Sequence, residues 1–531
     1  MKPNSSTLTI ALLAGAFASA AAAQDVGRVS FKTSCTPPAQ EKFERGVALA
    51  HSFFFPDTVK AFTEAAALDP HCAIAYWGIA ISQRNNPLLL PLPAAALKNG
   101  LDAVQKGAAI GAQTERERDW LAAMGVYYQD YDKVDQTTRG LAYEQAMQQL
   151  MQKYPDDVEA AIFYALALNE TALPSDKTYA NQLKAGALLE KIAATHPDHP
   201  GVLHYLIHSY DYPPLARRAL DAANKYAGIA PSAPHAQHMP AHIYSMVGLW
   251  AQSVESNTKS RAIGVAQAAK AWPGAAHPVE PHWLDFTEYA LLQMGQEKRA
   301  RQIVDENNAI KKFGFDFIVG YTGLAAVPAR YALERQAWKE AAALEPHGGP
   351  FPQADAITYF ARAIGSARSG DVAGAEQGIA KLKELRAALE KASQPYWAEQ
   401  VEVQILAAAA WVAQAKGESD NALKLMRAAA DLEDGSEKHI AMENRLYPMR
   451  ELLGDLLLAH QQPAQALAEY ETALKSTPNR LRGLYGAAKA ADLAKNRQKA
   501  TGFFQDLVAL TKDADTDRME IRDAKAFLAR K

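Results

Sequence analysis

The chain is predicted to be all-helical, an α-solenoid in which antiparallel helix pairs stack into a right-handed superhelix, and three observations lead there. Alanine is abundant and β-branched runs are scarce, which favours helix over strand. Asp-Pro and Thr-Pro steps recur at the ends of amphipathic stretches, where proline stops a helix. A histidine pair also recurs at a fixed period, His204/His208 in HPGVLHYLIHSYD and His238/His242 in PHAQHMPAHIYSMVGLW, with 34 residues between corresponding members. A period of that length marks a helix-pair repeat whose copies stack along one axis.

The first 23 residues place Lys2 ahead of an apolar stretch and end in Ala21-Ala22-Ala23, the pattern of a secretory signal cleaved after Ala23. The stretch is too short and too rich in small residues to span a membrane well, and none follows it. The expected product is a periplasmic or secreted chain with no membrane insertion after cleavage; an uncleaved anchor is the alternative. Cys35 and Cys72 are the two cysteines. In an oxidising compartment such a pair is usually bonded, which here ties the extended N-terminal segment to the loop after the first helical hairpin. Two buried free thiols are the alternative.

Residues 24–298 are expected to form an N-terminal repeat array. It opens with Gly46 on one helix, Phe62 and Ala65 on the next, and Pro70 as terminator. Residues 87–111 look irregular and proline-broken, and residues 173–179 look like a loop within a helix pair. The aromatic run HSFFF at residues 51–55 has the spacing of hairpin core. The histidine-bearing units follow at residues 200–233 and 234–270, then a proline-rich loop and a third helix, HWLDFTEYALLQMG. Residues 299–445 are degenerate repeats, with a turn or break at EPHGGPFPQ. Residues 446–531 carry the clearest units, in which Gly454, Tyr470 and Ala473 supply small and large residues that interlock.

The i, i+4 spacing of each histidine pair puts both imidazoles on one helix face, and stacking brings the two faces together. Six of the 14 histidines fall within the 44 residues from His199 to His242, which points to a local site. Neutral imidazoles supply lone pairs to Cu, Zn or Fe, so a divalent transition metal is the expected cofactor, held by His204, His208, His238 and His242 with Asp285 able to complete the shell. Two other readings stand beside it. One is a metal-free groove that binds a small molecule, a peptide or a protein partner; the other is histidines satisfied by the surrounding helices.

The chain resembles the tetratricopeptide family over most of its mature length. In that family the second, fifth and ninth positions of a repeat's first helix line the concave groove, and the resemblance implies that His235, His204, His238, His208 and His242 face one cavity. Aligning Gly295 on Gly248 sets His282 against His235, Asp285 against His238, and Tyr289 against His242. One repeat earlier Glu159 takes the second position, and Ile162 and Leu166 replace the histidines. The segments SFKTSC, DPHCAIAYWGIA, HPGVLHYLIHSYD and APHAQHMPAHIY further resemble secreted bacterial tetratricopeptide proteins, a likeness that implies fold, location and site position and no activity.

Glu170, Asp211, Tyr205 and Tyr244 lie near the same helices as candidate acids, bases or orienting groups, with His235, His282 and Tyr289 as alternative ligands or supports. A closed four-histidine site would store metal, whereas three ligands and an open position would allow a metal-dependent reaction. His51, His347, His439 and His460 are expected at the surface or in packing. A net charge of -3 without a basic block argues against a nucleic-acid partner. HExxH, GxSxG, P-loop and GxGxxG patterns are all missing from the sequence.

Overall fold

Many helices start by the same local rule. Proline occupies the first turn, where its missing N–H would have no partner and its φ is already helical. Helices Pro37–His51, Pro200–Tyr210, Pro234–Val247, Pro352–Arg368, Pro395–Ala415 and Pro463–Ser476 all begin so. Elsewhere Thr114, Asp135, Asp157, Asp371 and Asn496 cap a helix by accepting from the backbone N–H three residues on. The structure, a computed structural model, describes residues 25–530, and the signal expected over residues 1–23 lies outside the described residues. Among the described residues are 25 α-helices and no strand.

Consecutive helices pair and stack as the repeat predicts, so the fold is a tetratricopeptide-like helical solenoid. Close approach depends on the small residues. A Cβ at Gly454 would come within 2.7 Å of the Tyr470 ring, and one at Gly486 would collide with it. Helix pairs Met449–Ala459 with Pro463–Ser476 and Leu481–Leu493 with Arg497–Leu510 form the expected C-terminal units. Cys35 and Cys72 form a disulfide with a Cα–Cα distance of 4.9 Å, joining the N-terminal segment to the turn after helix Phe55–Leu68. Among the described residues no helix is long and apolar enough to cross a membrane.

Two expectations are corrected. Most of residues 87–111 is the helix Ala94–Ile110, because the prolines end at Pro93 and Leu97, Gly100, Val104 and Gly107 form one buried face. Gly100 and Gly107 are packing residues there: a Cβ at Gly100 would collide with Tyr128, and one at Gly107 would come within 2.8 Å of Leu121. Residues 299–445, expected as degenerate helical repeats, are mostly regular helices, but the boundary placed after residue 298 falls inside helix Glu297–Ala309. Alanine faces replace the repeat signature: Ala356, Ala361 and Ala363 of Pro352–Arg368 and Ala407, Ala408 and Ala410 of Pro395–Ala415 are buried.

After helix Ser419–Asp434 the chain runs back to earlier parts of the array. The Glu437 backbone N–H donates to Pro174 O at 3.1 Å, and the Glu437 carboxylate accepts from Lys177 Nζ and Tyr179 Oη. Farther along, Thr322 Oγ1 donates to Ala441 O, and Arg330 donates to the carbonyls of Asn444 and Arg445. Residues 435–448 therefore link the loop at 173–179 to helix Ile318–Glu334 and lie against the histidine helices between them.

The second histidine helix, Pro234–Val247, ends at Gly248 with φ +74°, a left-handed cap that favours glycine. Its free side meets the C-terminal units, since a Cβ there would stand 2.7 Å from Pro478 O and 2.8 Å from Asn479 Cβ. Gly248→Ala should cost about 1–2 kcal/mol for the left-handed backbone alone. Urea unfolding checks this, and a loss within about 0.5 kcal/mol, typical of a neutral surface change, would show that the cap relaxes freely.

Candidate functional site

The first histidine helix, Pro200–Tyr210, contributes His204 and His208 one turn apart, and His235 at the start of the second helix joins them. The second helix contributes His238 and His242, and His282 at the start of the third helix, Glu280–Gln293, joins those. Within each set of three, the available ring nitrogens lie within 4.8 Å of one another. The four repeat-matched histidines thus divide between two neighbouring sets, because His235 is turned toward the first helix and His238 toward the third. His235 and His238 adjoin, with ring centroids 6.1 Å apart.

Side-chain hydrogen bonds set the tautomers. His242 Nδ1 lies 2.9 Å from Asp211 Oδ2, a carboxylate that can only accept, so Nδ1 carries the proton. Asn257 Nδ2 donates to Ser253 O, which fixes its amide so that Oδ1 accepts from His238 Nδ1 at 2.6 Å. His204 Nδ1 donates to the His51 carbonyl at 2.5 Å. In neutral His238 and His242 both Nε2 atoms are consequently lone pairs, and they face each other at 3.0 Å. Burial pushes His238 down to about 4 and His242 well below the ordinary histidine value, so neither carries the proton that would join them at neutral pH.

Other nitrogens also lack partners. Both ring nitrogens of His208 and Nδ1 of His282 are buried without a hydrogen bond. In the first set His235 Nε2 stands 3.1 Å from His204 Nε2. One phenylalanine covers each set. Phe53 lies 4.6, 5.8 and 5.3 Å from the rings of His204, His208 and His235, and Phe286 lies 4.9, 4.8 and 5.0 Å from those of His238, His242 and His282. Lys438, from residues 435–448, donates to Asp211 Oδ2 at 2.9 Å.

The implied open cavity is a correction. His204, His208, His238, His242 and His282 are buried and His235 is half-buried, with Phe53 and Phe286 packed on their rings and Lys438 bonded to Asp211 beside them. Asp285 does not join the histidines: Arg330 Nε donates to its carboxylate at 2.8 Å. Tyr289 accepts instead from Arg480 Nη1 at 2.7 Å, and Glu170 pairs with Arg84. Tyr244 donates to Asn224 at 2.9 Å. Of the four candidate acids, bases and orienting groups, Asp211 bonds a histidine of the two sets, and Glu170, Tyr205 and Tyr244 are bonded elsewhere.

His51, expected in packing or at the surface, is buried and braces the site. Its Nε2 donates to Glu159 at 2.8 Å, its Nδ1 is 3.1 Å from Tyr205 Oη, and its carbonyl holds His204. His199 Nε2 bonds the other Glu159 oxygen at 3.0 Å. His51, Glu159 and His199 form a third compact group, but the carboxylate oxygens and both His51 nitrogens are already bonded. Gly201 leaves the room for it, since a Cβ there would collide with the His51 ring. Phe53, counted as hairpin core, belongs to the site wall. Asn257, Phe286 and Lys438 carry no local sequence signal for their roles.

No family model matches the chain, and no curated protein matches it. Among solved structures, the human IFIT1 dimer with PPP-AAAA is similar at 11% identity and a TM-score of 0.39, covering 82% of this chain and 90% of that one. The human IFIT1 dimer with m7Gppp-AAAA gives 11% identity and a TM-score of 0.34 over the same shares. Naa15/Naa10 bound to HypK-THB gives 12% identity and a TM-score of 0.25, covering 93% of this chain and 91% of that chain.

Proposed function

We propose that this chain is a secreted or periplasmic metal-binding protein whose histidine cluster holds a transition metal. The fold is a scaffold on which protein or ligand sites are built. The metal reading rests on one observation above all, the two Nε2 lone pairs of His238 and His242 facing each other at 3.0 Å. Two such lone pairs repel unless a cation lies between or beside them, and burial disfavours a proton as that cation. The unpartnered nitrogens of His208 add to this, since buried polar groups normally find a partner. Imidazole ligands suit Cu, Zn and Fe.

Asp211, Asn257 and the His51 carbonyl each hold an Nδ1–H, which turns Nε2 toward the site. The phenylalanine rings keep bulk water from it. When bound, the metal supplies a Lewis-acidic or redox centre, used on a small substrate or held for delivery. The secreted location is supported by the leader pattern at the N-terminus and by the disulfide, which persists in an oxidising compartment. A metal-free peptide groove fits less well, because imidazoles buried under Phe53, Phe286 and Lys438 do not face an extended ligand.

The test is elemental analysis of untagged protein recovered from the periplasm, followed by uptake of Zn(II) and Cu(I) by the metal-free chain. Near-stoichiometric metal is expected in the parent. Asn257→Leu, which removes the acceptor from His238 and no ligand, should weaken binding by about 10–100-fold at unchanged helicity. A parent that is empty when isolated and takes up neither metal at micromolar concentration overturns the proposal.

A further inference from the structure

We infer that the cluster is a two-ion centre, with one metal ion held by His204, His208 and His235 and a second, adjacent ion held by His238, His242 and His282. This deepens the metal reading above and rests on it. The two sets are built from the same parts. Each takes an i, i+4 pair from one helix and a single histidine from the start of the next, so the repeat itself generates the three-nitrogen site twice. His282 occupies in the third helix the place that His235 occupies in the second, as the alignment of Gly295 on Gly248 shows; both glycines end their helices at positive φ, +72° and +74°.

The surroundings repeat as well. One phenylalanine ring lies against all three imidazoles of each set, Phe53 on the first and Phe286 on the second. Each set has one histidine whose Nδ1–H is pinned by an uncharged acceptor, His204 by the His51 carbonyl and His238 by Asn257. Each also retains a buried, unpartnered nitrogen, on His208 and on His282. An ion at the second set alone would leave both nitrogens of His208 without a partner, and an ion at the first set alone would leave the facing Nε2 lone pairs of His238 and His242.

Three imidazoles per ion leave a coordination position open on each. The sets adjoin through His235 and His238 on one helix, with ring centroids 6.1 Å apart. All six ligands are neutral, and Asp211 already serves Lys438 and His242. Two divalent ions would leave a large uncompensated charge in a buried site, whereas two monovalent copper ions leave less. This favours Cu(I), whose lower charge needs less compensation in a buried site of neutral ligands.

Cu(I) titration of the metal-free full chain tests the inference, with His208→Ala and His282→Ala beside the parent and helicity compared throughout. Two equivalents are expected in the parent and one in each variant. One equivalent in the parent, lost completely in either variant, would overturn the two-ion centre and leave the metal reading standing. No uptake at all would remove both. If the variants do not fold, X-ray absorption on the copper-loaded parent decides. About three nitrogen neighbours per copper, the number a three-ligand open site requires, together with a copper–copper vector are expected. Two equivalents without that vector, and with uncoupled Cu(II) spins after oxidation, would overturn the adjacency.

Discussion

Replacing Arg330 with methionine should destabilise the fold by about 3–5 kcal/mol, the usual cost of removing one partner from a buried ion pair. Arg330 is fully buried on helix Ile318–Glu334. Its guanidinium donates to Asp285 at 2.8 Å and to the carbonyls of Asn444 and Arg445 at 2.9 Å, and lies 3.8 Å from Glu443. Burial pushes the Glu443 carboxyl up to about 8, so it is mostly protonated at neutral pH, and burial also pushes Glu288 well above the ordinary carboxyl value. Asp285 is the anion that Arg330 chiefly balances. Methionine would leave that carboxylate and the two carbonyls without donors. Urea unfolding of Arg330→Met measures the loss, and Arg330→Met/Asp285→Leu should recover much of it, because an apolar pair of similar volume is often neutral. A loss under about 1 kcal/mol, in the range of an exposed pair, would show that the interior here is wet. Since Arg330 also anchors residues 435–448, hydrogen exchange should rise along that segment.

Reduction of the Cys35–Cys72 bond should remove about 4 kcal/mol from the N-terminal part of the array, the chain-entropy value for a loop closed across 37 residues. The effect should stay local, since stacked repeats draw stability mainly from nearest neighbours. Cys35→Ala/Cys72→Ala should therefore unfold residues 25–70 at lower urea than residues 446–530, read by hydrogen exchange. Helix Pro37–His51 lies within that closed loop and ends at His51, whose carbonyl holds His204, so the His204/His208/His235 set should loosen before the His238/His242/His282 set. Equal protection in the oxidised and reduced chains would remove the bond from any structural role.

Much of the fold was legible because its signals are local. Prolines at helix ends and the Gly454/Tyr470 pairing act within one repeat, and the 34-residue histidine period acts between neighbouring ones. The degenerate region was less legible because alanine packs equally well in any helix pair and leaves no signature. Residues 94–110 were misread because the prolines, which end at Pro93, set the reading for the whole stretch, whereas the buried face of Gly100 and Gly107 is matched only by Tyr128 and Leu121 on the neighbouring helix.

By itself the sequence determined that the chain is helical, that Cys35 and Cys72 are the cysteines able to pair, and that histidines recur on one face of successive helices. It also placed His282 against His235, because the glycine caps that align them are local features. Only the tertiary structure decided how those histidines are shared. The choice between one set of four and two sets of three depends on which way His235 and His238 point between the flanking helices. The loss of Asp285 to Arg330, the cover of Phe53 over His204, and the contact of Lys438 with Asp211 join residues 45, 151 and 227 positions apart. Periodicity describes a helix and its neighbour, whereas charge pairing and burial are settled between groups that meet only when the array closes around them.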